Sequence, residues 1–150
     1  MILRPADYDD CEFIADAFKQ WPRTPRGRVF PVDVRNWINK YNRGDEVGLV
    51  GEVDGKPVGF VVYASNLFVA RVGSIVVHPD HQGRGYSSAM LRLVHQRLMS
   101  EGVVVIEFEA IPGVIADKTL KGQYQKVGEG IGSQTGLPTV IGRATAETKI

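Results

Sequence analysis

The sequence predicts an α/β domain: a mixed, mostly antiparallel sheet of about seven strands with helices on both faces. Three observations carry that expectation. Apolar runs at 48–53, 58–64 and 68–77 are separated by the turn signals Asp54-Gly55 and Asn66, and strands joined by such short turns pair antiparallel. The third run is followed by a helical pattern at 87–101 and another apolar run at 103–110; a strand–helix–strand unit of this kind is parallel and right-handed. Finally, 150 residues with 43% hydrophobic and 23% charged side chains can bury one ordinary core, so a single domain over 1–150 is expected.

The elements follow in order. Residues 2–5 form a short first strand. Asp7, Asp9 or Asp10 caps the next helix, because a short acidic side chain accepts its orphan amide hydrogens. Cys11, Ile14, Ala17, Phe18 and Trp21 fall at helical spacing. Pro22 and Pro25 end that helix. A second helix starts at Val32 or Asp33, with Val34, Trp37, Ile38 and Tyr41 on one face. After the meander, Met90, Leu91, Val94, Leu98 and Met99 form the apolar face of the 87–101 helix, and Gly102 stops it. The β-branched run at 103–110 reads as a buried parallel strand. Asp117 caps a helix over 118–127 with Gly128 as its stop, and two short strands near 130–134 and 139–144 close the chain.

Composition excludes several classes. Cys11 is the single cysteine, so neither an internal disulfide nor a cysteine metal cluster is expected. His78, His81 and His95 show no familiar ligand spacing with a carboxylate, and no metal is expected. No apolar run approaches the roughly 20 residues of a membrane span. Residues 1–10 lack a basic stretch followed by an apolar one, so a cytoplasmic protein is expected. The net charge of +1 is unevenly spread. Lys19, Arg23, Arg26, Arg28, Arg35, Lys40 and Arg43 stand against Asp33 alone and are interleaved with Trp21, Phe30, Trp37 and Tyr41. The stretch is either a solvated basic face or a surface for an acidic or phosphate-bearing partner, nucleic acid included.

The chemistry concentrates at the start of the 87–101 helix, in HPDHQGRGYSSAMLRL (78–93). A helix N-terminus carries unpaired amide hydrogens and a partial positive charge, and an anion satisfies both. Gly83 and Gly85 let a phosphate approach the backbone, Ser87 and Ser88 are small, and Arg84 adds a charge. A Walker loop would need Gly-Lys-Ser/Thr where this chain has Gly-Tyr-Ser, and the third glycine of the dinucleotide fingerprint is missing. The loop alone is compatible with some phosphate ligand, or with a tight strand-to-helix turn and no ligand.

The longer stretch VGSIVVHPDHQGRGYSSAMLRLVHQRL (72–98) resembles the central motif of the GNAT acyltransferase superfamily: Gln or Arg, two residues, Gly, one residue, then Gly or Ala. Gln82, Gly83, Arg84, Gly85 and Tyr86 fill the pattern, and Ser87 stands at the last position, a departure small enough to keep the close approach. ILRPADYDD (2–10) is similar to the family's opening strand and helix, and the order of elements agrees throughout. The resemblance implies acetyl-CoA as co-substrate, with its pyrophosphate on the amides of Gly83, Arg84, Gly85, Tyr86 and Ser87. It implies that the 68–77 and 103–110 strands splay apart, with the pantetheine arm paired to the backbone of Ile75, Val76 and Val77. Ligands beyond strand C-termini are the rule for parallel sheets.

LKGQYQKVG (120–128) resembles the family's late helix through Tyr124, Lys126 and Gly128. That similarity makes Tyr124 the candidate acid for the leaving thiolate, against the alternative of a half-buried aromatic contact. Asp117 occupies a position where the family often has a cofactor-binding Asn; it keeps the acceptor and loses the amide donor, and a helix cap is an equal reading. Glu107 and Glu109 alternate with Phe108 and so share one face of their strand. Glu109, nearer the strand's C-terminal end, is the candidate base; the alternative is an exposed or salt-bridged pair. The expected function is an N-acetyltransferase acting by direct attack of a primary amine, as monomer or homodimer. The rivals are a non-catalytic acyl-CoA or nucleic-acid-associated module and a nucleotide-phosphate enzyme.

Overall fold

The computed structural model describes residues 1–20, 29–110, 124–132 and 136–148. Its strands are β1 (Ile2–Pro5), β2 (Val47–Val53), β3 (Lys56–Ser65), β4 (Val69–Val77), β5 (Val105–Ala110), β6 (Gln125–Ile131) and β7 (Pro138–Thr145). Its helices are α1 (Cys11–Ala17), α2 (Pro31–Asn42) and α3 (Tyr86–Ser100). All seven strands join one sheet in the order β1-β2-β3-β4-β5-β7-β6. The β4–β5 pair is parallel and every other pair is antiparallel, which is the mixed sheet the sequence predicts.

Local chemistry explains the boundaries. Asp7 accepts the Asp9 amide at 2.9 Å while Asp10 accepts the Asp7 amide at 2.9 Å, a reciprocal cap on the 3-10 turn that leads into α1. Asp10 is buried and bonded to Arg4 at 2.7 Å, and Arg4 also binds Glu52 on β2. Burial pushes the Asp10 carboxyl up, but the bonds from Arg4 and the Asp7 amide outweigh it and hold the group below its ordinary value. Asp54 and Gly55 both have positive φ (53° and 76°), as a two-residue primed hairpin turn requires. Pro31 opens α2, and the Asp33 carboxylate accepts the Phe30 amide at 3.2 Å.

The sheet separates two cores. On one face α1 and α2 bury Ile14, Phe18, Val34 and Ile38 against Val50, Phe60 and Val76. Trp37 packs edge-on to Phe18, with ring centres 5.6 Å apart; Trp21, Pro22 and Pro25 lie outside the described residues. On the other face α3 buries Met90, Leu91, Val94 and Leu98 against Val61, Val72, Ile106 and Phe108. Helices on both faces follow from these two apolar stripes.

The chain between 118 and 128 differs from expectation. Residues 125–131 form strand β6, where the sequence suggests the end of a helix stopped at Gly128. Residues 118–123 and Asp117 lie outside the described residues. β6 pairs with β7, Lys126↔Gly142 and Gly128↔Ile141, with an irregularity between Lys126 and Gly128. The predicted strand at 130–134 is thus displaced toward the N-terminus. Its backbone hydrogen bonds come from β7, a long-range partner that overrides the local helical pattern.

Candidate active site

The parallel pair β4–β5 is in register only from Val69↔Val105 to Val72↔Phe108. Directly after it, the antiparallel register with β3 steps from Tyr63↔Val72 to Val62↔Ser74, so Gly73 is an extra residue, a β-bulge. A bulge bends its strand and ends pairing on one side. From Ser74 to Val77, β4 keeps its β3 neighbour and has no ladder to β5. Ile75, Val76 and Val77 bury their side chains in the two cores, and among the described residues the backbone of Ser74, Ile75 and Val76 has a slot rather than a paired strand on its β5 side. An extended chain can add to such an edge by main-chain hydrogen bonds.

The slot leads to the glycine turn. After β4 come His78, the 3-10 turn Pro79–His81, and Gln82, whose amide Nε2 donates to Val77 O at 3.2 Å. Gly83 and Gly85 both adopt φ 78°, a conformation that favours glycine. A Cβ on either would meet nothing within 4 Å, so the space over the turn is open. Gly85 is the N-cap of α3 and, without a side chain, makes no cap bond of its own. The first-turn amides thus sit at the positive end of a 15-residue helix. Arg84 is exposed, Tyr86 packs on the α3-side core, and Ser87 is buried at 6% exposure. These residues fit a pyrophosphate: donors, open space and a small side chain converge.

Tyr124 stands at the entry to β6 rather than on a helix. It is 9% exposed and packs edge-on to Phe108 with ring centres 6.2 Å apart. Phe108 is the last β5 residue paired to β4, so the Tyr124 ring sits where the two strands part. Its hydroxyl is buried with no hydrogen-bond partner among the described residues, a costly state that asks for a reason. Burial pushes the phenol well above its ordinary value, so it stays protonated at neutral pH.

The two carboxylates of β5 part company. Ile106, Phe108 and Ala110 belong to the α3-side core, so Glu107 and Glu109 face the α1–α2 side. Glu107 is tied to Arg143 at 2.9 Å and Arg71 at 3.7 Å. Glu109 accepts the Thr139 hydroxyl at 2.5 Å on Oε1 and is half-buried without a cationic partner among the described residues. The salt-bridged reading applies to Glu107, and Glu109 keeps the chemistry of a candidate base. The sequence offered no sign of this division, because Arg71, Arg143 and Thr139 are brought in by neighbouring strands.

Cys11 is buried at the start of α1, and burial pushes its thiol up, away from a nucleophile's requirement. Of the basic stretch, Arg23, Arg26 and Arg28 lie outside the described residues. Lys19 is paired to Asp16 at 2.6 Å and Arg43 to Asp45 at 3.4 Å, while Arg35 lies 4.3 Å over the Tyr8 ring. The sequence reading passed over His78, which stands between the slot, the glycine turn and α1; its one local signal is the His-Pro step directly after an apolar run.

Among the described residues no helix is long and apolar enough to cross a membrane. The sequence model of the acetyltransferase (GNAT) family matches residues 10–113. A mycothiol acetyltransferase of Nocardiopsis dassonvillei is 43% identical over 58 residues, 35% of this chain and 16% of that protein. An acetyltransferase of Yersinia pestis is 33% identical over 63 residues, 42% of this chain and 45% of that protein. The matched stretch thus spans less than half the length of either relative. In fold, the chain is similar to YncA of Salmonella typhimurium, solved with its cofactor acetyl-CoA, with a TM-score of 0.72 at 18% identity over 100% of this chain and 96% of that one.

Proposed function

From the premise that the chain belongs to the acetyltransferase (GNAT) family, we propose that it is an N-acetyltransferase that moves an acetyl group from acetyl-CoA to a primary amine. The observation that carries this reading is the end of the β4–β5 ladder at Val72, beside the Gly73 bulge, in a strand that runs on through the glycine turn to the N-terminus of α3. The first-turn amides and the turn from Gln82 to Ser87 hold the pyrophosphate; the backbone of Ile75, Val76 and Val77 holds the pantetheine amides. When bound, acetyl-CoA supplies an activated acyl thioester.

The chain's own groups then have separable tasks. Glu109, steadied by Thr139, accepts a proton from the incoming amine on the α1–α2 side of the sheet, directly or through water. The Tyr124 hydroxyl, kept protonated by burial and without a partner among the described residues, holds a proton beside the slot for the departing sulfur. Tyr124→Phe removes the proton and keeps the ring. Turnover is expected to fall by about 10²–10⁴-fold with the dissociation constant for acetyl-CoA unchanged; a steady-state assay that finds full turnover removes Tyr124 from the mechanism.

The acceptor carries negative charge near its amine in this reading, supported by the basic run that includes Arg23, Arg26 and Arg28. Changing all three to Gln is expected to raise the acceptor KM by about tenfold or more at low salt, with the effect fading as salt screens it. A KM indifferent both to salt and to the triple change would rule out an anionic acceptor.

A further inference from the structure

We propose that His78 is a positioning residue that pins the phosphate turn to α1, and that its cap on the turn forms only while Nδ1 carries no proton. The role of the turn rests on the acetyl-CoA reading; the pin itself does not.

His78 is where four pieces of the fold meet. Its backbone amide donates to Val58 O at 2.9 Å, which extends the β3–β4 ladder by one residue. Its ring is 12% exposed and stacks on Phe13 of α1, with centres 5.4 Å apart and planes 17° apart. Nδ1 lies 3.1 Å from the Asp80 amide, capping the 3-10 turn that begins the glycine loop. Nε2 lies 2.6 Å from Asp16 Oδ2 on α1. An amide only donates, so Nδ1 is the acceptor. A carboxylate only accepts while ionised, so Nε2 carries the hydrogen. Lys19 first, and then His78, hold the Asp16 carboxyl below its ordinary value, which keeps it an acceptor. One state of the ring satisfies both bonds: the neutral imidazole protonated on Nε2.

Protonation acts unequally on the two arms. A proton on Nδ1 faces the Asp80 N–H, donor against donor, and the cap is lost; the nearest alternative acceptor is the Asp80 carboxylate, 3.7 Å away. The Nε2 arm becomes an ion pair with Asp16. The ring therefore stays on α1, and its tie to the turn changes from an amide cap to a longer, exposed ion pair with Asp80. The titratable groups facing it among the described residues are Asp16 on α1 with Lys19 behind it, and Asp80 and His81 on the turn, the His81 ring 6.0 Å away. A proton on Nδ1 thus loosens the head of the glycine turn while the ring keeps its hold on α1.

Two substitutions separate the arms. His78→Asn places an amide oxygen where Nδ1 was, keeps the cap and cannot titrate. His78→Gln reaches Asp16 with its amide nitrogen and lacks the capping acceptor. Calorimetry with CoA over a pH series from about 8 down to about 5, with the ring's protonation followed by NMR in the same series, reads the effect. The wild-type dissociation constant is expected to rise about tenfold more than that of His78→Asn on acidification, since one lost cap bond is worth about that factor. The coenzyme's own phosphate titration is common to both and cancels. His78→Gln is expected to be several-fold weaker than wild type already at the alkaline end of the series.

Equal pH dependence of wild type and His78→Asn overturns the proposal. Nitrogen NMR of the wild-type ring, without ligand, is the independent check. It should show hydrogen on Nε2 alone, and the Asp80 amide should shift with the ring's titration. If the ring carries its hydrogen on Nδ1, or the Asp80 amide ignores the titration, the pin is wrong even where CoA binds. If both signals appear and CoA binds at no pH of the series, the pin stands and the acetyl-CoA reading fails.

Discussion

β4 is two strands in one. Its first half, Val69 to Val72, is paired on both sides, to β3 and to β5. Its second half, Ser74 to Val77, follows β3 and has no ladder to the described residues of β5, and Gly73 is the joint. Both halves bury apolar side chains, Ala70 and Val72 in the first and Ile75, Val76 and Val77 in the second, while Val69 and Arg71 stay exposed. The difference in pairing lies in the backbone. A protein can thus offer main-chain donors and acceptors to a ligand without giving up core, provided the opening falls between strands rather than between side chains. The bulge supplies that opening, and the sequence paid for it with a single glycine.

The comparison can be broken from either end. Phe108→Ala strikes the doubly paired half. Phe108 is 1% exposed and supports the Tyr124 ring, so denaturant unfolding should show a loss of about 3–5 kcal/mol, with CoA affinity of the folded fraction little changed. Gly59→Ala strikes behind the open half. A Cβ there would sit 2.8 Å from Val76 O and 2.6 Å from Met90 Cε; the methionine can move, whereas the backbone oxygen cannot without shifting β4. The expected cost is about 1–3 kcal/mol, and CoA affinity should fall with it. If affinity instead tracked Phe108→Ala and ignored Gly59→Ala, the two halves would not be separate in function. The smallest effect is on Tyr124→Phe by thermal melting. Removing a buried hydroxyl with no partner among the described residues should leave stability equal or raise it by up to about 1 kcal/mol, opposite in sign to its effect on turnover.

What the sequence made legible was local. The boundaries of β1, the Asp54-Gly55 turn and the apolar face of α3 are each written within a dozen residues, and the structure keeps them. The glycine turn was legible for the same reason, since its φ values require the glycines that stand there. Long-range facts were not. β6 reads QKVGEGI, with two glycines and three charged or amide side chains, and nothing in it signals a strand; β7 makes it one. The roles of Glu107 and Glu109 look alike in VIEFEA and diverge only through Arg71, Arg143 and Thr139. The Asp16–His78 contact joins residues 62 positions apart, beyond the reach of any periodicity.

The position of β7 between β5 and β6 has a consequence for how the protein is made. β6 leaves the ribosome before the strand it must lie against. Until residues 138–145 have followed, Tyr124 and the whole of β6 have no place in the sheet, while β1 to β5 already possess both neighbours and core. The glycine turn at the head of α3 is therefore assembled early in synthesis, and Tyr124, the proposed proton donor, is installed last. A nascent chain released before β7 would carry the proposed grip on the coenzyme without the proposed acid.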